Sequence, residues 1–393
     1  MLSGILENMT VREDILKNIK RVVIKIGSSV ISNRDKGRSQ LECGLSREWV
    51  RHYARKIKDI RDKGYDVVLV SSGAIMAGRE RLEFGRADLT IPEKQACAAI
   101  GQSFLMHTYE KAFEKKGLMV AQILLSHDDL GNRRRYLNAK HTIEALLEKG
   151  VIPIINENDS VTVEEIKIGD NDSLSATVAC LVDAQLLIIL SDVEGLYDRD
   201  PSLKNKTEKA QLISHVSKVN EDIERIAGKS KNRLTVGGML TKVQAAKKTM
   251  SFGIPALVVN GLDEKVIENI FAGKEVGTLF WSGKGKIRDR KHWIAHTLKP
   301  AGTLTIDEGA RKALVEREKS LLPAGLIKVK GDFEFGNALT LLDESGKEIG
   351  RGLVNYNSRD LERIKGMKTS AVRNLMEESF YEEVIHRDDL VIF

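Results

Sequence analysis

Three cysteines in 393 residues, Cys43, Cys97 and Cys180, are too few, too scattered and odd in number for a disulfide framework or a zinc pattern. They read as isolated thiols in a reducing compartment. No window approaches the roughly 20 apolar residues a membrane-spanning helix needs, so no membrane partner and a cytoplasmic location are expected. The first 20 residues carry Glu7, Glu13 and Asp14 without a long apolar stretch, which argues against a signal peptide. Low-complexity segments and internal repeats are missing as well. So are several catalytic signatures. Gly228-Lys229-Ser230 resembles the end of a Walker A loop, but Ile223 stands where its first glycine is required. There is no GxGxxG after the first strand, no DFG triplet and no kinase-type HRD loop (His386-Arg387-Asp388 is followed by no asparagine), no HExxH among eight histidines and no GxSxG serine.

What is present is an ordinary globular composition, 42% hydrophobic and 30% charged, in a chain long enough for two domains. The net charge is +6, unevenly spread. Residues 301–393 hold 14 Lys and Arg against 17 Asp and Glu, a net of −3, so the first 300 residues carry +9. Anionic partners are weakly favoured for the larger part.

Short apolar, β-branched runs at Arg21–Ile26, Asp66–Val70, Leu118–Leu125, Val151–Ile155, Gln185–Leu190 and Pro255–Val259 alternate with amphipathic stretches. Val50, Tyr53, Ala54, Ile57 and Ile60 repeat at helical spacing, as do Leu240, Val243, Ala246 and Met250. Apolar strands separated by helices predict a three-layer αβα sandwich around a largely parallel sheet. The strand ends are polar or glycine-rich: Gly27-Ser28-Ser29, Ser71-Ser72-Gly73, Asn156-Glu157-Asn158-Asp159, Ser191-Asp192 and Asn260-Gly261. Ligands of open α/β sheets bind along that edge. Ser282 to Lys291, rich in Lys, Arg and Gly, reads as a linker, and short strand-like pieces beyond Pro300 predict a small β-rich domain. The expected boundaries are 1–281, a linker 282–300, and 301–393.

Lys25 interrupts an otherwise apolar strand two residues before Gly27. It either snorkels from an edge strand or is buried and paired with an anion. Gly237-Gly238 before Met239-Leu240-Thr241-Lys242 opens a helix, an anion-binding arrangement or simply a glycine loop. Asn156 to Asp159 and Gly169-Asp170-Asn171-Asp172 bring four carboxylates and three amides to one sheet edge. Asp170 or Asp172 could merely cap a helix near Leu174. Carboxylates there could also hold an ammonium group and orient the lysines.

Together these stretches, with Asp192 to Tyr197, resemble the amino acid kinase superfamily and within it the glutamate 5-kinase family, over nearly the whole chain. The pairing of Asn156–Asp159 with Gly169–Asp172 is the more specific part. The tail, with Asp307 to Ala310, Leu322 to Gly325 and Tyr356-Asn357-Ser358, is similar to a PUA domain. The resemblance implies transfer of the ATP γ-phosphate to the side-chain carboxylate of L-glutamate, the first step towards proline, with Mg²⁺. It implies that Lys25 and Lys242 contact the phosphates and that Asp172 organises them. Ser72, Asp159 and Asn171 would bind glutamate. Ser191, Asp192 and Val236, Gly237, Gly238, Met239, Leu240, Thr241 and Lys242 would line the ATP site, and no protein side chain is assigned to the metal. A homo-oligomer and a glutamyl-phosphate reductase partner are also implied. RNA binding by the tail stays open, although its net −3 weighs against it. Another amino acid kinase, acting on aspartate, acetylglutamate or UMP, is the alternative. Three departures stand out: Val236 where a small hydroxyl residue is usual, a long segment from Asn33 to Gly44, and Asn337 for a frequent Asp.

Overall fold

The protein is described by a computed structural model that covers residues 11–17, 19–33, 44–84, 89–126, 129–130, 133–161, 171–199, 201, 210–228, 238–283, 300–376 and 381–393. The chain divides into two compact units, Met1–Lys284 and Gly285–Phe393.

The first unit is built on an eight-stranded sheet in the order β3-β4-β2-β1-β5-β7-β8-β6. The strands are β1 (Arg21–Ile26), β2 (Asp66–Ser71), β3 (Val120–Leu125), β4 (Ile152–Glu157), β5 (Leu186–Ser191), β6 (His215–Val216), β7 (Ala256–Asn260) and β8 (Thr278–Phe280). All neighbouring pairs are parallel except β7 with β8. The six strands expected from the sequence are present, within a residue or two at each end. The short β6 and β8 were not anticipated: two and three residues are too few to show a pattern.

β1 lies in the middle, paired along its length with β2 on one side and β5 on the other. Its side chains alternate between faces. Val22, Ile24 and Ile26 pack with the helices Arg47–Asp62 and Ile91–Glu114. Val23 packs on the opposite face with the helices Asn171–Leu181 and Met239–Ser251. Lys25, two residues on, belongs to that second face. The edge-strand reading of Lys25 is therefore wrong, because both neighbours of β1 are hydrogen-bonded strands and the side chain is only 5% exposed.

On the first face the helices Ala74–Arg81 and Ile91–Glu114 cross with glycine at the contact. A Cβ on Gly101 would stand 1.8 Å from the Ala74 carbonyl oxygen, and one on Gly78 1.8 Å from that of Cys97. The helices approach backbone to backbone, which only glycine permits there. The crossing sets both the Ser72-Gly73 turn, which leads into the first helix, and Gln102, which follows Gly101.

The second unit has a five-stranded sheet in the order β10-β9-β11-β12-β13. It comprises β9 (Gly302–Ile306), β10 (Leu326–Lys330), β11 (Ala338–Leu342), β12 (Glu348–Leu353) and β13 (Leu390–Ile392). The strand-like runs Gly302–Ile306, Gly325–Lys330, Ala338–Leu342, Gly350–Val354 and Asp389–Ile392 of the sequence correspond to these five, but the helices Glu308–Arg317, Ser358–Ile364 and Thr369–Met376 were not anticipated. The first two start from side-chain caps, Asp307 and Asn357, that could have announced them. Asn337, noted as a departure, accepts a hydrogen bond from the Glu334 N–H at 3.0 Å, as an Asp would. Most of the expected linker and nearly all of the Asn33–Gly44 segment lie outside the described residues.

Gly101→Ala should lower stability by about 1–3 kcal/mol, the usual cost of overpacking, because the nearest neighbours, the Ala74 carbonyl oxygen and the Gly78 nitrogen, are main chain that must shift. Urea denaturation measures it, and an unchanged midpoint would show that the crossing yields.

Candidate active site

Asp172 is fully buried in the first turn of the helix Asn171–Leu181, close to the carboxyl end of β1. Its Oδ1 lies 2.7 Å from the Lys25 ammonium and its Oδ2 3.3 Å from that of Lys242. The Thr241 hydroxyl donates to Oδ2 at 2.7 Å and lies 2.8 Å from the Gly238 carbonyl. The Asp172 carbonyl accepts from the Ser175 hydroxyl at 2.6 Å. One carboxylate therefore spaces two lysines, and the trio carries a net charge of +1.

Burial alone would push the Asp172 carboxyl up. The charges of Lys25 and Lys242, with the hydrogen bonds from Lys25 and Thr241, overcome that and hold its pKa at about 2. Burial lowers the pKa of Lys242 from the ordinary lysine value, against the pull of Asp172 and with the added repulsion of Lys25. Asp172 stays charged across the physiological range. It is a spacer, not an acid or base.

The surroundings leave room for an anion. A Cβ on Gly27 would crowd the Leu190 carbonyl oxygen at 3.2 Å and would lie in ordinary contact with the Lys25 Nζ at 3.6 Å, so glycine leaves the space beside that ammonium uncovered. Gly238 has extended backbone angles that any residue could adopt and nothing within 4 Å of its Cβ position. Among the described residues no neighbour requires glycine there. The helix Met239–Ser251 starts immediately after it. With the start of Asn171–Leu181, two helix N-termini carry their partial positive charge to the lysine trio.

Of the residues expected to bind the acceptor, Asn171 and Ser72 are brought together: the Asn171 amide donates to the Ser72 hydroxyl at 2.9 Å and to Asn156 Oδ1 at 3.0 Å. Asp159 lies in the turn after β4. Burial, reinforced by the charge of Glu157, raises its pKa to about 7. Ser191 is buried at the end of β5, with its hydroxyl 3.3 Å from Asp192 Oδ1, and the charge of Asp192 is felt at Lys242. Met239 and Leu240 are partly buried against the second-face core. Thr241, expected to touch ATP, uses its hydroxyl on Asp172 and Gly238. Val236, Gly237, Gly169 and Asp170 lie outside the described residues.

Sequence reasoning missed Gln102, which is 9% exposed. Its signal was present: Ala98, Gly101, Gln102, Leu105 and Tyr109 form one buried stripe, in which an amide is out of place unless it has polar partners.

The Amino acid kinase family profile matches residues 20–260, and the PUA domain profile matches residues 302–376. The chain belongs to the amino acid kinase family. Among its relatives, the glutamate 5-kinase of Geobacter sulfurreducens (strain ATCC 51573 / DSM 12127 / PCA) is 46% identical over 381 residues, covering 97% of this chain and 100% of its own. The glutamate 5-kinase of Syntrophus aciditrophicus (strain SB) is 45% identical over 381 residues, covering 97% and 96%. A solved UMP kinase from Bacillus anthracis is 18% identical, covers 68% of this chain and 97% of its own, and superposes with a TM-score of 0.46. As an amino acid kinase family member, the chain has its lysine trio on the face and edge where the sequence motifs converge.

Asp172→Asn should cost about 3–5 kcal/mol, because it leaves two buried ammonium groups without their counter-charge. The folded pKa of about 2 lies below the ordinary 3.8, so this stabilisation is present above pH 3.8 and fades as pH falls towards 2. Urea titrations of both proteins at several pH values measure the gap, and an equal stability near neutrality would refute the pairing.

Proposed function

We propose that this chain is an ATP-dependent glutamate 5-kinase, transferring the γ-phosphate of ATP to the side-chain carboxylate of L-glutamate to give L-glutamyl 5-phosphate on the route to proline. The observation that carries the reading is the buried Lys25–Asp172–Lys242 trio with its net positive charge, in a chain alignable almost end to end with glutamate 5-kinases.

A glutamate side-chain carboxylate has a pKa of about 4.3 and is ionised at neutral pH, so it needs no general base. The obstacle is repulsion between an anionic acceptor and a polyanionic donor. In this reading Lys25 and Lys242 flank the transferring phosphoryl group, where positive charge is most effective as negative charge spreads over its oxygens. Asp172 holds the two ammonium groups at a fixed separation and takes no part in proton transfer. The loop through Gly238 to Lys242, with Ser191 and Asp192, takes the nucleotide; Val236 and Gly237 belong to the same assignment. Mg²⁺ would come with ATP and would supply further positive charge to its phosphates, with no protein side chain assigned to hold it. No group of three or more potential ligands that could hold a metal ion is found among the described residues.

Ser72, Asp159 and Asn171 take the glutamate, Asp159 by pairing with its ammonium group. We assign residues 1–281 to the catalytic domain, 282–300 to a linker and 301–393 to the PUA domain. The division of the chain near residue 284 supports this. A homo-oligomer is supported by the outer strand β3, whose Val120, Ile123 and Leu124 are apolar yet only half covered. The lability of an acyl phosphate supports hand-over to a glutamyl-phosphate reductase. A cytoplasmic location suits an enzyme that uses ATP. Among the described residues no helix is long and apolar enough to cross a membrane.

ATP turnover with L-glutamate, L-aspartate and N-acetylglutamate, with hydroxylamine trapping the acyl phosphate, tests the substrate. Hydroxamate should form with glutamate; preference for either other acceptor would overturn the reading. Because Asp159 must be ionised to pair with an ammonium group, the KM for glutamate should fall as pH rises through about 7. Asp159→Asn should raise that KM and flatten its pH profile; a slope unchanged in the variant would clear Asp159 of the role.

A further inference from the structure

Four side-chain amides stand in a row from the outer strand of the first sheet to the lysine trio. Gln122 of β3 accepts from Gln102 Nε2 at 2.9 Å. Gln102, on the helix Ile91–Glu114, accepts from Asn156 Nδ2 at 2.8 Å. Asn156, in β4, accepts from Asn171 Nδ2 at 3.0 Å.

The two ends of an amide look alike, so the direction of such a row must come from a group whose role is fixed. The Glu157 backbone N–H supplies it, because it can only donate, and it does so to Asn156 Oδ1 at 2.9 Å. That places the Asn156 oxygen towards Asn171 and its NH₂ towards Gln102. Gln102 must then offer its oxygen to Asn156 and its NH₂ to Gln122. At the other end Asn171 must use its NH₂ on both Asn156 and the Ser72 hydroxyl. Both of its donors are then occupied, and its Oδ1 is left buried without a partner among the described residues. A buried acceptor in that state is costly until a donor reaches it. Asn171 adjoins Asp172, so the donor is wanted beside the lysine trio.

We propose that Gln102 is a positioning residue for the acceptor's amino group: through Asn156 it holds the Asn171 amide with its oxygen free to accept a hydrogen bond from the substrate ammonium. This rests on the reading of the acceptor as glutamate, whose two carboxylates can only accept and whose ammonium is its one donor. Gln102 touches no substrate. Without its oxygen the Asn156 NH₂ loses its partner, and the Asn171 amide is free to turn its own NH₂ to the ligand.

Glutarate, the same five-carbon diacid without the amino group, separates this from a loss of packing. Gln102→Met keeps the length of the side chain and removes the acceptor. It should lower the preference in kcat/KM for glutamate over glutarate about tenfold, chiefly through the KM for glutamate, with the KM for ATP little changed. Gln102→Glu still offers an oxygen to Asn156 and should retain most of the preference. If the methionine variant does not fold, Gln102→Ala makes the same test. Should the variant lose both substrates in equal proportion, or keep the wild-type preference, the positioning role is overturned while the glutamate reading stands. Wild-type enzyme that fails to phosphorylate glutamate overturns both, and it shows this before any variant is made.

Discussion

A buried carboxylate between two buried ammonium groups is the constraint on which the first unit depends. Burying the Lys25 and Lys242 ammonium groups so far from water would be costly without Asp172, and the two lysines are what hold the buried Asp172 carboxylate ionised. The three come from separate elements: the central strand β1 and the first turns of two helices that cover the same sheet face. Holding them together fixes how those helices sit on the sheet. Because two positive charges share one negative one, the fit is incomplete by one charge.

A second polar system runs beside the first and differs in kind. The amides of Gln122, Gln102, Asn156 and Asn171 carry no charge, so their interactions depend on direction rather than on net attraction. The ionic trio suits a transferring group whose charge is spread over several oxygens. The amide row suits a ligand whose donors and acceptors must be told apart. Asn171 and Asp172, adjacent in sequence, join the two systems. The glycine crossing of Ala74–Arg81 with Ile91–Glu114 also belongs here, since it brings Gln102 close enough to reach Asn156.

The parallel core was legible because long buried strands are apolar throughout and the helices between them show a clear stripe. The lysine trio was legible in part: a lysine inside an apolar strand needs an explanation, but only the pairing of β1 with both β2 and β5 removed the alternative of an edge strand. The partnership of Thr241 with Asp172 could not be read, because 69 positions separate them and nothing local connects them. Gln102 was overlooked for a related reason. A single amide on a helical stripe gains its meaning from partners on β3 and β4. The helices of the second unit are brief, and their caps carry more signal than their periodicity.

The register of β1 has a further consequence. Alternation in a strand allows a side chain only two addresses, and Lys25 must occupy the one shared with Val23. A deletion or insertion of a single residue within Arg21–Ile26 would exchange the addresses of Lys25 and its apolar neighbours in one step, burying the ammonium among the residues around Tyr53 and Tyr109. A change of length in a loop leaves this alternation alone, but within the six residues of the central strand it is an all-or-none event. β1 can thereby absorb substitution but not a change of length, and the spacing from the strand's start to Lys25 is set by the face on which the ammonium must stand.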